Sequence, residues 1–297
     1  MQTPADLLDE PRDVSRTLRA FLELSKPGVT RLVLVTTACG GLAASGPLDG
    51  LTLAWAVLGT GLVVAGANAL NMLLEIDSDA FMTRTRTRPL PTGRLTPDEA
   101  LLFGVGVSIA GLALLAHFTT LTAVALSAFA LLSYVLVYTP LKRVTPLSLY
   151  VGAVPGALPP AIGYAAMAGT FDRRAFALFA ILFVWQLPHF LAISVFRRDE
   201  YARAGLKVLA AERGLAHAKR HIAVLAIALW ATTLLPYWDG LVGVVYGALA
   251  GVSGALFVAW ALRGLRADAD HAWARSLFLA SMPHLVLVMA ALVIGLA

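Results

Sequence analysis

The residues best suited to chemistry gather where a long apolar run ends. From Asn68 to Pro89 the chain reads Asn-Ala-Leu-Asn-Met-Leu-Leu-Glu-Ile-Asp-Ser-Asp-Ala-Phe-Met-Thr-Arg-Thr-Arg-Thr-Arg-Pro. On a helix Asn71, Glu75 and Asp79 stand at i, i+4 and i+8 and share one face, while Asp77 falls on the other side. Amide and carboxylate oxygens in one stripe suit a hard cation, and Mg²⁺ takes one or two carboxylates together with phosphate oxygens. Arg84, Arg86 and Arg88 alternate just beyond, and guanidinium forks hold phosphate. The stretch therefore predicts a magnesium-diphosphate site at a membrane surface. A plainer reading is a loop whose charges neutralise one another. Against it, Asn68 and Asn71 lie inside the apolar run, where polar groups are costly and tend to mark function.

Two more stretches carry candidates. Trp185-Gln186-Leu187-Pro188-His189-Phe190 leads into Arg197-Arg198-Asp199-Glu200-Tyr201, again mixing arginines with acids at the end of an apolar run. His189 stands beside Pro188, which frees a backbone carbonyl. A histidine bonded to a neighbouring helix is the plain reading of His189. Trp185, Pro188 and the following Arg-acid loop favour a site. Tyr138-Thr139-Pro140-Leu141 precedes Lys142 and Arg143, which serve either as anchors at the membrane edge or as phosphate ligands. Pro155, Pro159 and Pro160 predict a broken or kinked helix able to shape a cavity. His117, His217, His221, His271 and His284 are read as structural or interfacial, without ligand-like spacing.

The elements that must position these residues are transmembrane helices. Hydrophobic residues make up 59% of the chain and charged residues 14%, against about 25% charged in soluble domains. Nine spans are expected, near 29–46, 51–74, 99–118, 120–138, 147–167, 174–195, 219–237, 241–262 and 276–296, each near the ~20 residues that a bilayer requires. With the N-terminus in the cytoplasm, all lysines and arginines except Arg173 and Arg174 fall on the cytoplasmic side. That asymmetry predicts N-in and C-out, and reads the net charge of +5 as loop chemistry and not nucleic-acid binding. Residues 1–26 form a flexible or interfacial lead-in, in which Leu18, Phe21, Leu22 and Leu24 suggest an amphipathic segment on the membrane. Residues 27–297 form the transmembrane domain. The single cysteine, Cys39, excludes an intramolecular disulfide and a cysteine metal cluster. Glycines in the spans, among them Gly59, Gly66, Gly104 and Gly111, are read as packing contacts. The apolar runs leave the bilayer itself as the chain's first partner.

Together these motifs resemble the UbiA-type intramembrane prenyltransferases, and within them the protoheme IX farnesyltransferases, or heme o synthases. The resemblance runs from Leu24-Ser25-Lys26-Pro27 to the last span. It rests on Asn71-x-x-x-Glu75-x-x-x-Asp79, Met82 to Pro89, Tyr138 to Pro146, Pro159-Pro160-x-Ile162-Gly163, Trp185-x-x-Pro188-His189-Phe190 and Arg197 to Tyr201. It implies an all-α bundle of nine transmembrane helices in the bacterial inner membrane, opening to the cytoplasm. It implies farnesyl transfer from farnesyl diphosphate to a vinyl group of heme b, with hydration. In that reading Asn71, Glu75 and Asp79 hold Mg²⁺, and Arg84, Arg88 and Lys142 complete the catalytic set. Arg143, Arg197, Arg198, Asp199, Glu200 and Tyr201 bind substrate, and His189 with Trp185 meets the heme. The role of His189 stays open between iron, a propionate and the water of hydration. The family's usual Asp is Glu75 here, the Arg after Lys-Pro is Gly28, and a Gly-Val-Pro-Met-Leu-Pro-like stretch is Gly205-Leu206-Lys207-Val208-Leu209-Ala210. Another acceptor, such as an aromatic quinone precursor, is one alternative, and a transporter or a non-catalytic assembly factor is another. Heme-modifying and oxidase-assembly proteins are partners left open.

Overall fold

The computed structural model describes residues 13–44, 48–266 and 271–296, and every regular element among them is helical. Helix α1 (Val14–Leu24) begins where the Asp13 carboxylate accepts the Ser15 backbone N–H. That hydrogen bond satisfies one of the orphan donors of a first turn. It is the amphipathic segment expected from sequence. Val14, Leu18 and Leu22 line an exposed face, while Ala20 and Leu24 are buried and Phe21 stacks on Phe103. The part of the lead-in before Asp13 lies outside the described residues.

After the turn at Ser25–Lys26 come α2 (Pro27–Leu42), α3 (Gly50–Leu74), the short α4 (Ile76–Ala80) and α5 (Pro97–Phe118). A capping box between Thr96 and Glu99 starts α5. Helix α6 (Leu121–Leu132) continues through a π-helical stretch, Ser133–Tyr138, into α7 (Thr139–Leu141). Then follow α8 (Ser148–Ala168), α9 (Arg173–Phe196), the short α10 (Arg198–Arg203) and α11 (Leu209–Glu212), α12 (Leu215–Trp238), α13 (Val244–Arg263) and α14 (His271–Leu296).

Eight helices among the described residues are long and apolar enough to cross a membrane, the α6–α7 unit counting as one. Their ends fall within a few residues of the expected spans. The first expected span is the exception. Helix α2 has 16 residues, about 24 Å of helix at 1.5 Å per residue. That is shorter than the ~30 Å of a hydrocarbon core.

Close helix contact follows many of the small residues expected to make it, though not Gly106, Gly243 and Gly251, which face open space. A side chain on Gly66 would collide with Ser108 and the Gly104 carbonyl, so α3 and α5 pack backbone to backbone. Helix α2 docks on α8 in the same way, with Gly40 against the Pro160 carbonyl and Gly163 against the Thr37 carbonyl. Of the expected break or kink at the prolines, the break is not found. Helix α8 runs unbroken through Pro155, Pro159 and Pro160. Proline removes an i→i−4 hydrogen bond, and neighbouring helices can satisfy the freed groups. The carbonyls that these prolines leave free are those of Val151, Pro155 and Gly156; beside them the Gln186 side chain of α9 donates to the Ala153 carbonyl and ties α9 to α8. The prolines are buried against α2 and α9 and so sit inside protein, not lipid.

Candidate active site

At one end of the bundle, four segments bring their polar side chains to the end of α3. Helix α3 ends at Leu74, and Glu75 is the hinge into α4, yet the Asp79 N–H still bonds the Glu75 carbonyl. The helical register therefore survives the junction. Asn71, Glu75 and Asp79 are all buried, and Asp77 is exposed, so the stripe read from the spacing exists.

Each of the three oxygens is held by a cation from a different segment. The Lys26 ammonium, in the α1–α2 turn, donates to Asn71 Oδ1. Lys142, just after α7, donates to Glu75 Oε1 at 2.8 Å. Arg88, in the loop after α4, donates to Asp79 Oδ2 at 2.6 Å. Asn71 Nδ2 donates to the Thr139 hydroxyl at 3.0 Å, which orients the amide oxygen toward Lys26. Thr139 in turn donates to the Tyr134 carbonyl inside the π-helical stretch. Such π segments are frequent at functional sites. This one sets Thr139 and Lys142 against α3 while the Lys142 ammonium lies over the Tyr138 ring, 4.4 Å from its centroid.

The electrostatics follow from burial and charge together. Burial pushes the Glu75 carboxyl up, but Lys142, by charge and by hydrogen bond, and then Lys26 and Arg88 bring it below its ordinary value. Burial depresses the Lys142 ammonium, and Tyr138 and Glu75 reverse this, holding it above the usual amine range. Burial, with the nearby charges of Arg88 and Lys142, pushes the Lys26 amine down to about 7.

A second loop closes on the first. The Arg84 backbone N–H donates to Glu200 Oε1, and Arg197 donates to Glu200 Oε2 at 2.7 Å. Burial raises the Glu200 carboxyl, and the bonds from Arg197 and Arg84 more than offset this, leaving it below its ordinary value. The Lys207 N–H donates to the Lys142 carbonyl at 2.8 Å. The matching position of the resembled pattern is proline, which has no N–H to give, so this chain gains a bond that the pattern lacks. Arg143 donates to the Leu74 carbonyl and the Ser78 hydroxyl, across the α3–α4 junction.

The candidates thus separate. Asn71, Glu75, Asp79, Arg88 and Lys142 form one buried cluster. Arg84 from the first loop and Arg197, Glu200 and Tyr201 from the second flank it: burial raises the Tyr201 phenol, and the Arg84 charge pulls it back. The Arg84 guanidinium is exposed and has no hydrogen-bond partner among the described residues. Asp199 is exposed and, among the described residues, pairs with its neighbour Arg198. His189 and Trp185 belong to a different place. Both are buried on α9 against α14, where Trp185 donates to the Ser281 carbonyl and His189 Nδ1 lies 2.7 Å from the Ser281 hydroxyl. Their rings stack at 4.4 Å.

Sequence reasoning gave no role to Lys26, Thr139 or Ser281. Lys26 and Thr139 stood inside the quoted motifs, but their partners lie 45 and 68 residues away. One reading is corrected. His217 and His221 do have a partner spacing, i and i+4, and their rings lie 4.7 Å apart on α12. A cavity of about 240 Å³ beside His221, bounded by Tyr150, Leu191, Leu209 and Arg213, lies apart from the buried cluster. His284 is buried flat against Phe257, and neither ring nitrogen has a partner among the described residues.

The arrangement fits a divalent cation. It offers two carboxylates and an amide oxygen in one stripe, and Asp79 Oδ1 is buried without a hydrogen-bond partner. A buried carboxylate oxygen left unpaired is costly unless a cation takes it.

Residues 32–282 match the UbiA prenyltransferase family. The chain belongs to that family. Among UbiA relatives, the chain is 52% identical over 243 residues to the protoheme IX farnesyltransferase of Sorangium cellulosum (strain So ce56), covering 82% of this chain and 87% of that protein. It is 42% identical to the protoheme IX farnesyltransferase of Myxococcus xanthus (strain DK1622), covering 92% of each. The UbiA fold is shared with a solved digeranylgeranylglyceryl phosphate synthase, with a TM-score of 0.80 at 19% identity, over 94% of this chain and 98% of that one. A UbiA homolog from Archaeoglobus fulgidus, bound to GPP and Mg²⁺, superposes with a TM-score of 0.65 at 17% identity, over 92% of this chain and 99% of that one.

The cluster makes a stability prediction. Arg88→Met strands Asp79 as a buried charge, and breaking a buried pair in this way costs about 3–5 kcal/mol. Adding Asp79→Asn should recover most of that loss in a thermal-unfolding series in detergent. A double variant no more stable than Arg88→Met would contradict the pairing.

Proposed function

We propose that this protein transfers the farnesyl group of farnesyl diphosphate to a vinyl group of heme b, giving heme o. The observation that carries the reading is the buried oxygen stripe with its cations, in a chain whose curated relatives are protoheme IX farnesyltransferases. Asn71, Glu75 and Asp79 would hold Mg²⁺, which when bound supplies Lewis-acid stabilisation of the diphosphate leaving group.

The chain's own residues do the rest. The bond between farnesyl C1 and the diphosphate oxygen breaks, and its electron pair leaves with the diphosphate. Arg88, Lys142, Arg84 and Arg197 meet that growing negative charge as cations already gathered at the site. Arg84 is the readiest of them, since its guanidinium has no partner to leave. Apolar helix walls keep water from the allylic cation until the vinyl carbon attacks it. Water then adds to the new cation and releases a proton.

His189 suits a defined part of this sequence. The Ser281 hydroxyl donates to the Phe278 carbonyl at 2.7 Å, so its oxygen accepts from His189 Nδ1–H. That arrangement favours the tautomer with its lone pair on Nε2. A lone-pair nitrogen ligates iron or takes a proton from water, whereas it cannot donate to a propionate. This tautomer favours the iron and water roles over the propionate.

We also propose nine crossings, with α2 as the first, and the N-terminus and both polar loops in the cytoplasm of a bacterial inner membrane. The lysine and arginine distribution supports this orientation. The hydrogen bonds joining Lys26, Lys142 and Lys207 to one cluster of segments support placing those loops at a common end.

The test is heme o formation by purified protein in lipid nanodiscs given farnesyl diphosphate, heme b and Mg²⁺, read by mass spectrometry. Heme o with stoichiometric diphosphate release is expected, and chelation of Mg²⁺ should stop both. Glu75→Gln and Asp79→Asn should each lower turnover by at least about 100-fold, in the range seen on removing a preorganised electrostatic group, with the protein still inserted. Near wild-type turnover in either would sink the assignment. Ser281→Ala should lower heme o formation while farnesyl diphosphate binding stays unchanged. Loss of diphosphate binding instead would place His189 with the wrong substrate.

A further inference from the structure

Lys26 is the one non-glycine residue with positive φ among the described residues, at φ 47° and ψ 70°. L-residues with a Cβ adopt this left-handed region rarely, and glycine adopts it freely. The turn itself explains the backbone. Helix α1 ends at Leu24, Pro27 already stands in the first turn of α2, and the residue before a proline is pushed out of the right-handed helical region. A glycine at position 26 would make this turn without strain. The turn is also held independently of the lysine side chain, because Asn68 Nδ2 and the Thr30 hydroxyl both donate to the Ser25 carbonyl. A strained residue that a turn does not need is a pointer to function.

The side chain goes to Asn71. Its ammonium takes the amide oxygen that the Asn71–Thr139 bond aims inward. Lys142 and Arg88 hold charged oxygens of Glu75 and Asp79, and their bonds are full ion pairs. The Lys26 bond is to a neutral amide and has no opposite charge of its own to leave behind. Of the three cations, it is the one whose transfer to another partner leaves no stranded carboxylate. With Lys26 protonated, the cluster holds three cations against two carboxylates, and an incoming anion favours that protonated form.

We propose that Lys26 is the exchanging residue of the site: it holds Asn71 Oδ1 in the geometry seen here, and it yields that oxygen to the divalent cation and turns to the diphosphate when the two arrive together. This rests on the metal-diphosphate reading of the cluster and adds a positioning role to a residue outside it. The exchange couples the two ligands. A divalent cation arriving alone must displace an ammonium that has nowhere to go, and a diphosphate arriving with it supplies the new partner.

The test uses full-length protein in nanodiscs, with Mn²⁺ as the cation probe and farnesyl thiolodiphosphate, which resists ionisation, as the anion probe. Free Mn²⁺ is followed by electron paramagnetic resonance without the analogue, and analogue binding is measured at saturating Mg²⁺. Lys26→Met and Lys26→Gly should bind Mn²⁺ alone at least threefold more tightly than wild type. Both should bind the analogue at least tenfold more weakly. Lys26→Arg should stay within threefold of wild type for the analogue. The thermal midpoint of Lys26→Gly should equal or exceed that of wild type, because the strained turn is relieved. The proposal stands only if the two affinities move in opposite directions. Unchanged binding, or a joint fall with a lower midpoint, makes Lys26 a turn residue and overturns it. Asp79→Asn separates the readings: if that variant binds the analogue as wild type does, the metal-diphosphate reading itself fails, whatever Lys26 does.

Discussion

The cytoplasm-facing chemistry proposed for this bundle depends on one constraint: oxygens buried at the end of α3 need positive partners. Asn71 and Asp79 are fully buried, and Glu75 nearly so. Buried carboxylates left alone are too costly to stay ionised. The chain meets the demand from three separate segments, with Lys26 before α2, Arg88 after α4 and Lys142 after α7. Those partners fix where α1 meets α2, where the first loop folds back, and where the π-helical stretch must end. The second loop then fastens to this frame through Glu200 to Arg84 and through Lys207 to Lys142. A fold that satisfies these pairs has already gathered the groups that a diphosphate would use.

Much of this was legible in the sequence, for physical reasons. Helical period alone put Asn71, Glu75 and Asp79 on one face and Asp77 on the other, because a 3.6-residue repeat leaves little choice over eight residues. Apolar length placed the spans, since backbone in lipid must bond to itself and a helix is the way to do so. The amphipathic α1 was visible as a stripe. What stayed hidden depended on distant partners. Nothing local says that Lys26 reaches Asn71, or that His189 leans on Ser281 and not on the ion cluster. The prolines of α8 suggested a break, because local rules price the lost hydrogen bonds and cannot see α2 and α9 enclosing the helix. The pairing of His217 with His221 follows from their i, i+4 spacing on α12.

The departures from the family pattern also acquire physical content. Glu75 keeps the charge of the usual Asp and meets Lys142 with the longer side chain. Lys207 stands where the pattern has proline and uses the recovered N–H to bond the Lys142 carbonyl, while its side chain pairs with Glu212. Gly28 lies where an arginine is usual, in open space that would admit one. The first two changes keep the proposed diphosphate end supplied with charge and anchorage. The third removes a cation close to Lys26, which leaves that lysine as the basic group of its turn.

The central claim is that Asn71, Glu75 and Asp79 together hold the divalent cation of a prenyl diphosphate. Its most direct test is anomalous diffraction from crystals grown with Mn²⁺ and farnesyl thiolodiphosphate. The account predicts a manganese peak within bonding distance of oxygens from all three residues, with the diphosphate on its far side. A peak elsewhere, or a diphosphate bound with no metal at this stripe, would contradict it.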